Sequence, residues 1–197
     1  MKTQTKFLFT ALIVAAALLP QIIYGQQSSV INDTLYSQVL KDTRPIQVYL
    51  PKDYKAGSPE KYDVIYVLDG EWNTPITMQI SQYLVNQGLI PPNIVVSVPN
   101  KYKDNVNMRE RDFSPIHISD SPVSGGGDTF LAFLKNELLP YIDKKYPSTG
   151  KNTLFGQSMS ALFSMYVLLK DPSLFRSYLL ADPALWYADR YVVKLAA

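Results

Sequence analysis

A serine attacks an ester carbonyl only when its hydroxyl is presented clear of the backbone and beside donors for the oxyanion that develops. The pentapeptide Gly156-Gln157-Ser158-Met159-Ser160 has the residues for that task. It follows the pattern Gly-x-Ser-x-Gly with Ser160 in the last glycine's place, between a strand-like run, Asn152–Phe155, and a helical one, Ala161–Lys170. A strand that feeds straight into a helix through a tight turn pushes one side chain out at the top of the sheet and leaves the next N–H free. Ser158 is therefore the candidate nucleophile, and the Met159 N–H a candidate oxyanion donor. A second donor in such sites comes from the loop after an earlier strand. Leu68-Asp69-Gly70-Glu71-Trp72 fits: Gly70 lets the backbone turn inward and the Glu71 N–H donates, with Asp69, Gly70 and Trp72 lining the site. The plainer alternative for Asp69-Gly70 is a turn that closes a strand.

A serine needs a base, and His117 is the only histidine in the chain. It precedes Ser158 in sequence, whereas the partners in α/β-hydrolases follow in the order Ser, Asp or Glu, His. A loop histidine at the mouth of the site is thus expected, rather than a displaced base. Asp182, ahead of Pro183, reads as a turn residue at a strand end, or else as a triad acid moved one strand early. Arg109, Arg111 and Asp112 form a charged cluster expected to pair structurally, with Arg111 facing an acidic substrate as the alternative. With no cysteine and one histidine a zinc site is not expected, and no glycine loop has the phosphate-cradling pattern, so no cofactor is expected either.

These residues need a scaffold. Leu35–Leu40 and Ile46–Leu50, separated by Lys41–Pro45, read as an antiparallel N-terminal hairpin. Val64–Leu68 and Ile94–Val98 are continuous apolar runs of the kind buried on both faces of a sheet, and Thr77–Asn86 between them has helical character. Pro99–Gly127 is a long polar stretch of the sort that serves as a functional loop. Asp128 is expected to cap a helix with apolar positions at Phe130, Leu131, Leu134, Leu138, Leu139 and Ile142, which Pro140 should kink or interrupt. Ser177–Ala181 completes a last strand–helix–strand unit. The alternation gives an α/β class with a mostly parallel central sheet, whose chemistry collects at the carboxyl ends of the strands. Asp69-Gly70-Glu71, Pro99-Asn100 and Ser158 all fall at such ends.

Residues 1–25 read as a signal peptide: Lys2 and Lys6 precede an apolar run, Phe7–Leu19, that is short for a membrane span and ends at Pro20, with Gly25 as a cleavage point. Secretion or export to the periplasm follows, without a stable membrane anchor after cleavage. Loss of Lys2 and Lys6 takes the formal charge of +2 to zero, which argues against a nucleic-acid partner. Residues 26–197 suffice for one domain with its own core.

Taken in order, Tyr49-Leu50-Pro51, Val64–Gly70 (VIYVLDG), Ile94–Asn100 (IVVSVPN), Arg111–Pro115 (RDFSP), Phe130–Tyr146, Gly156–Phe163 (GQSMSALF) and Asp182–Tyr187 (DPALWY) resemble the esterase family of α/β-hydrolases. That family holds esterase D, the enterochelin-esterase-like proteins, feruloyl and acetylxylan esterases and mycolyltransferases. The resemblance implies an α/β-hydrolase fold, Ser158 as nucleophile, Glu71 and Met159 as oxyanion donors, and Trp186 near the site. It also implies that the triad acid and histidine lie C-terminal to Ala197, so that the last strands and C-terminal helix are expected to be missing from this chain. Two departures stand out, Ser160 for the usual glycine and Asp182 for the usual serine. The function expected is an exported serine carboxylic-ester hydrolase working through an acyl-enzyme at Ser158. Its substrate would be a small-molecule, carbohydrate or siderophore ester. The alternatives are a non-catalytic binding protein on the same scaffold and an acyltransferase to a sugar acceptor.

Overall fold

The computed structural model describes residues 29–197; the signal-peptide reading of residues 1–25 lies outside the described residues. Strands β1 (Val30–Ser37), β2 (Asp42–Tyr49), β3 (Tyr62–Leu68), β4 (Asn93–Val98), β7 (Ser148–Gln157) and β8 (Ser177–Ala181) form a six-stranded sheet in the order β1-β2-β4-β3-β7-β8. A small hairpin, β5 (Tyr102–Lys103) and β6 (Val106–Asn107), stands apart from it. β1 pairs antiparallel with β2 and β2 antiparallel with β4, while β4, β3, β7 and β8 run parallel. Parallel neighbours need long crossovers, which the helices supply. They are α1 (Gly70–Asn86), α2 (Arg109–Phe113), α3 (Gly127–Phe133), α4 (Leu139–Lys145) and α5 (Met159–Lys170), and α6 (Tyr187–Ala196) follows β8. The sheet is thus the expected α/β arrangement with an antiparallel N-terminal hairpin.

Burial explains the strand order. Every residue of β4 is buried, and Val64, Tyr66, Val67 and Leu68 of β3 are fully enclosed, so the two most apolar runs take the middle of the sheet. Each such side chain contributes about 1.5–3 kcal/mol on burial. β1 alternates between exposed and half-buried positions, as an edge strand does. An aromatic cluster of Phe113, Phe130, Phe133 and Phe163 carries the core out beneath the site, with the Arg44 guanidinium over the Phe130 ring at 5.3 Å.

Several features differ from expectation. β1 ends at Ser37, not Leu40, because the Glu137 carboxylate accepts the Gln38 N–H at 2.9 Å, the Val39 N–H at 3.1 Å and the Ser37 hydroxyl, turning the chain there. Pro45 lies inside β2 opposite Thr34, on a stretch that pairs with β1 alone, so its missing N–H costs β4 nothing. α1 begins at Gly70, before the expected Thr77, and carries Pro75 within it. The long helix after Gly126 is interrupted, as expected, ahead of Pro140: its ladder widens into a π turn over Leu134–Leu138, and the α-helix resumes at Leu139 with the proline, which cannot donate, in its first turn. Asp128 is not that helix's cap. Gly126 is, and Asp128 accepts the Tyr166 hydroxyl at 2.6 Å instead. The polar stretch 99–127 is also more structured than expected, holding β5, β6 and α2.

Candidate active site

Ser158 sits between β7 and α5 with φ 58° and ψ −114°, a conformation that a non-glycine residue adopts only when its surroundings impose it. The surroundings are visible. The Ser158 N–H donates to the Ala181 carbonyl at 2.9 Å, and its own carbonyl accepts the Leu162 N–H at 2.9 Å and the Ala184 N–H at 3.1 Å. A Cβ on Gly156 would lie 2.4 Å from the Ser160 carbonyl oxygen, so strand and helix cross too closely there for any side chain. Ser160, fully buried, is accommodated by turning its hydroxyl back on the turn. It accepts the Gln157 N–H and donates to the Gln157 carbonyl, both at 2.9 Å. The departure from glycine at this place therefore adds two ties to the elbow. Met159 opens α5, where no preceding turn offers its N–H an intrahelical carbonyl.

The loop after β3 meets this elbow. Asp69 is 1% exposed, has φ 51° and accepts the Trp72 and Asn73 N–H groups on its main-chain oxygen at 2.9 and 3.0 Å. Gly70 is wedged against β4: a Cβ would fall 2.2 Å from the Ser97 Oγ. Glu71 stands in the first turn of α1, so its N–H, like that of Met159, has no intrahelical acceptor. Its carboxylate is engaged, accepting the Asn100 N–H at 3.0 Å and the Asn100 Nδ2 at 2.8 Å. Asn100 also donates to Asp69 at 2.8 Å. Arg109 grips both Asp69 oxygens, from Nε and Nη2, at 2.7 Å each, and its Nη2 lies 3.4 Å from the Gln157 carbonyl. The Arg109 guanidinium also covers Trp72, 5.5 Å from its ring centroid. The ends of β3, β4 and β7 thus converge, as their sequence positions imply.

On the other flank, the two bonds from Ser158 to Ala181 and Ala184 bracket Asp182 beside the elbow. Asp182 is exposed with φ 48°, and its carboxylate has no hydrogen-bond partner among the described residues. It is a left-handed turn residue, and the structure offers it no histidine to orient. Trp186 follows on the same segment, 75% exposed. Tyr187 fastens the segment down by donating to Glu110 at 3.0 Å. Burial above all holds its hydroxyl over the ordinary tyrosine range, and the Glu110 carboxylate adds to this.

His117 belongs elsewhere. Its Nδ1 lies 3.2 Å from the Ser124 Oγ, on the exposed rim of the 99–127 stretch, and no hydrogen bond joins it to Ser158. The arginine cluster divides. Arg111 pairs with Asp112 at 2.7 Å and with Asp42 at 3.1 Å, and buried Arg44 reaches Asp112 at 2.8 Å, so this part is structural as expected. Arg109 turns away from it toward Asp69. Asn100 lies at a strand end as its sequence position implies, but its bonds to Asp69 and Glu71 and the Arg109–Asp69 pair were not signalled by any local pattern. Among the described residues no group of His, Cys, Asp or Glu could hold a metal ion. No described helix is long and apolar enough to cross a membrane.

Comparison with known proteins agrees with this geometry. Residues 37–190 match the model of the Esterase family, described as "Putative esterase". The chain is 27% identical over 169 residues to ferri-bacillibactin esterase BesA of Bacillus subtilis (strain 168), an alignment covering 78% of this chain and 58% of the relative. Over 75 residues, 36% of this chain and 25% of the relative, it is 38% identical to a siderophore enterobactin esterase of Emericella nidulans. An IroE-like serine hydrolase from Shewanella oneidensis superposes with a TM-score of 0.76 at 32% identity, over 85% of this chain and 54% of that one. The chain thus spans little more than half the length of BesA and of the Shewanella hydrolase, and with both the loop after β3 and the Ser158 turn inside the matched residues 37–190 the chain belongs to the Esterase family.

Proposed function

We propose that this protein is an exported serine carboxylic-ester hydrolase acting on siderophore esters, with Ser158 as its nucleophile. The observation that carries the reading is the Ser158 turn itself, a strained residue held by three main-chain hydrogen bonds with no hydrogen-bond partner for its Oγ among the described residues. The Ser158 Oγ adds to the ester carbonyl carbon and its proton passes to a base. The carbonyl π pair moves onto oxygen, where the Glu71 and Met159 N–H groups receive it. Collapse of that intermediate expels the alcohol, which takes up the proton, and leaves an acyl-Ser158. Water then adds to the acyl carbon and releases the acid, restoring the serine. The His117 ring is engaged with Ser124 and makes no hydrogen bond to Ser158, which supports a base other than His117.

The siderophore class is supported by the relatives, two of which are named as esterases of ferri-bacillibactin and enterobactin. Two exposed tryptophans beside the turn, Trp72 and Trp186, suit a large ligand with flat groups. Export is supported by the apolar run Phe7–Leu19 behind Lys2 and Lys6. The test is active-site labelling of the full-length gene product with a fluorophosphonate, followed by hydrolysis assays on a ferric catecholate triester. Labelling confined to Ser158 and lost in Ser158→Ala is the expected result. Labelling unchanged in that variant overturns the assignment.

A further inference from the structure

Successive side chains of β1 and β2 point to opposite faces of the N-terminal hairpin. One set turns inward: Ile46 is 1% exposed, and Asp33 opposite it accepts the Tyr141 hydroxyl of α4. The other set lies on the outer face, with Asn32 opposite Gln47 and Thr34 opposite Pro45. From Val30 to Tyr36 and from Thr43 to Tyr49 that outer face carries no charged residue. A groove of about 520 Å³ opens there, lined by these four residues and by Glu71 and Pro99 from beside the Ser158 turn. Asp33 also borders it, but its carboxylate is turned to Tyr141 and Lys145. Glu71 joins the groove to the chemistry, because its N–H is one of the two proposed oxyanion donors. An ester carbonyl held there has a substituent at the groove.

We propose that this groove is a binding site for an uncharged, hydroxyl-rich group of the ester substrate, a sugar unit, held by Asn32, Thr34 and Gln47. This rests on the reading of Ser158 as the nucleophile. The lining excludes other chemistries. No lysine, arginine or histidine borders the groove and the Glu71 carboxylate stands on its wall, so an anion is repelled. A cation would meet that one carboxylate with both of its oxygens already turned to Asn100, at 3.0 and 2.8 Å. An apolar group would take the two amides out of water without replacing their hydrogen bonds. A sugar hydroxyl both donates and accepts, which suits what is left. Gln47 Nε2 donates to Asn32 Oδ1 at 2.9 Å, and Gln47 Oε1 accepts the Tyr49 hydroxyl at 3.3 Å, so the amides hold one another in place. Asn32 Nδ2 remains a donor without a partner among the described residues, and the Thr34 hydroxyl can accept or donate. Pro45 and Pro99 add apolar walls for the C–H faces of a sugar ring, and the volume lies in the range of small-molecule sites.

The full-length product is assayed on a monoacetylated glucose and on ethyl acetate. Asn32→Ala and Gln47→Ala are each expected to lower the ratio of kcat/KM for the sugar ester to that for ethyl acetate about 3–10-fold, the effect of losing one neutral hydrogen bond. An unchanged ratio in either variant overturns the proposal, as does an equal fall on both esters. Saturation-transfer NMR with a set of methyl hexosides supplies a readout that needs no turnover. Transfer to at least one hexoside in the wild-type protein, weakened in both variants, is expected. Transfer to none of them, or transfer that the variants leave intact, overturns the groove as a sugar site. Should an alanine variant fail to fold, Thr34→Val, which removes a hydroxyl and suits a strand, carries the same measurements. Failure of the wild-type protein to label at Ser158 would count against the functional reading alone, since hexoside binding is read without it.

Discussion

Two strand ends flank Ser158, and they are built on opposite principles. On the β3–β4 side two polar side chains are buried and tied to each other, Asp69 at 1% exposure and Asn100 at 6%, and their bonds run out to the more exposed Glu71 and Arg109 and on to Gln157. On the β8 side only main-chain bonds reach the elbow, from Ala181 and Ala184, and the side chains between and after them, Asp182 and Trp186, stand in solvent. A charge network anchored on a buried carboxylate fixes geometry because displacing its partners strands a desolvated charge. An exposed flank fixes little and is free to meet different ligands. On the reading of Ser158 as a nucleophile, the first side would hold the geometry and the second would leave room for substrate choice.

The largest effect should come from the residue both flanks serve. Ser158→Ala is expected to lower kcat by about 10⁴-fold or more, measured with a chromogenic ester, while leaving the melting temperature near wild type. Gly156→Val strikes the crossing of β7 and α5, where no side chain fits. A loss of about 3 kcal/mol or more is expected in urea titration, and a near-normal stability would mean the elbow is looser than its contacts indicate.

Smaller effects test the contrast itself. Trp186→Ala should leave stability within about 0.5 kcal/mol and raise KM several-fold for a bulky ester but not for an acetate, because an exposed side chain acts through the ligand. If kcat for acetate falls instead, the open flank contributes to geometry after all. Ser160→Ala removes two hydrogen bonds to Gln157 and should cost about 1–2 kcal/mol of stability with activity within a few-fold, read by thermal melting. Asp182→Gly should be neutral or stabilising by up to about 1 kcal/mol, since glycine takes a left-handed conformation without the steric cost an aspartate bears. A marked loss of activity there would make the Asp182 carboxylate part of the chemistry.

Much of this was legible because it is local. VIYVL and IVVSV are too apolar to lie anywhere but the middle of a sheet, and GQSMS between a strand and a helix has few other uses. The start of α1 was hidden because Asp69-Gly70 and Pro75 look like breakers. In the structure Asp69 is the left-handed residue that launches the helix, and Pro75 lies in its second turn. The link from Arg109 to Asp69 spans 40 residues and depends on how α2 is held by Arg44 from β2, so no window of sequence contains it. At Ser160 sequence shows only the departure from glycine; the hydroxyl that ties the Gln157 N–H and carbonyl is visible in the structure alone.

The β1–β2 turn is finished by a carboxylate 100 residues downstream, Glu137, and Asp33 of β1 takes its tyrosine partner, Tyr141, from 108 residues away. A hairpin closes in microseconds, yet this one cannot be fastened until the helix bearing those residues has been made. At a synthesis rate of about 5–20 residues per second, that leaves an open sheet edge waiting on the order of 5–20 s. The N-terminal hairpin is thus the first element the protein can form and one of the last it can secure, which makes the interval between the two the time when the nascent chain most needs protection from neighbouring strands.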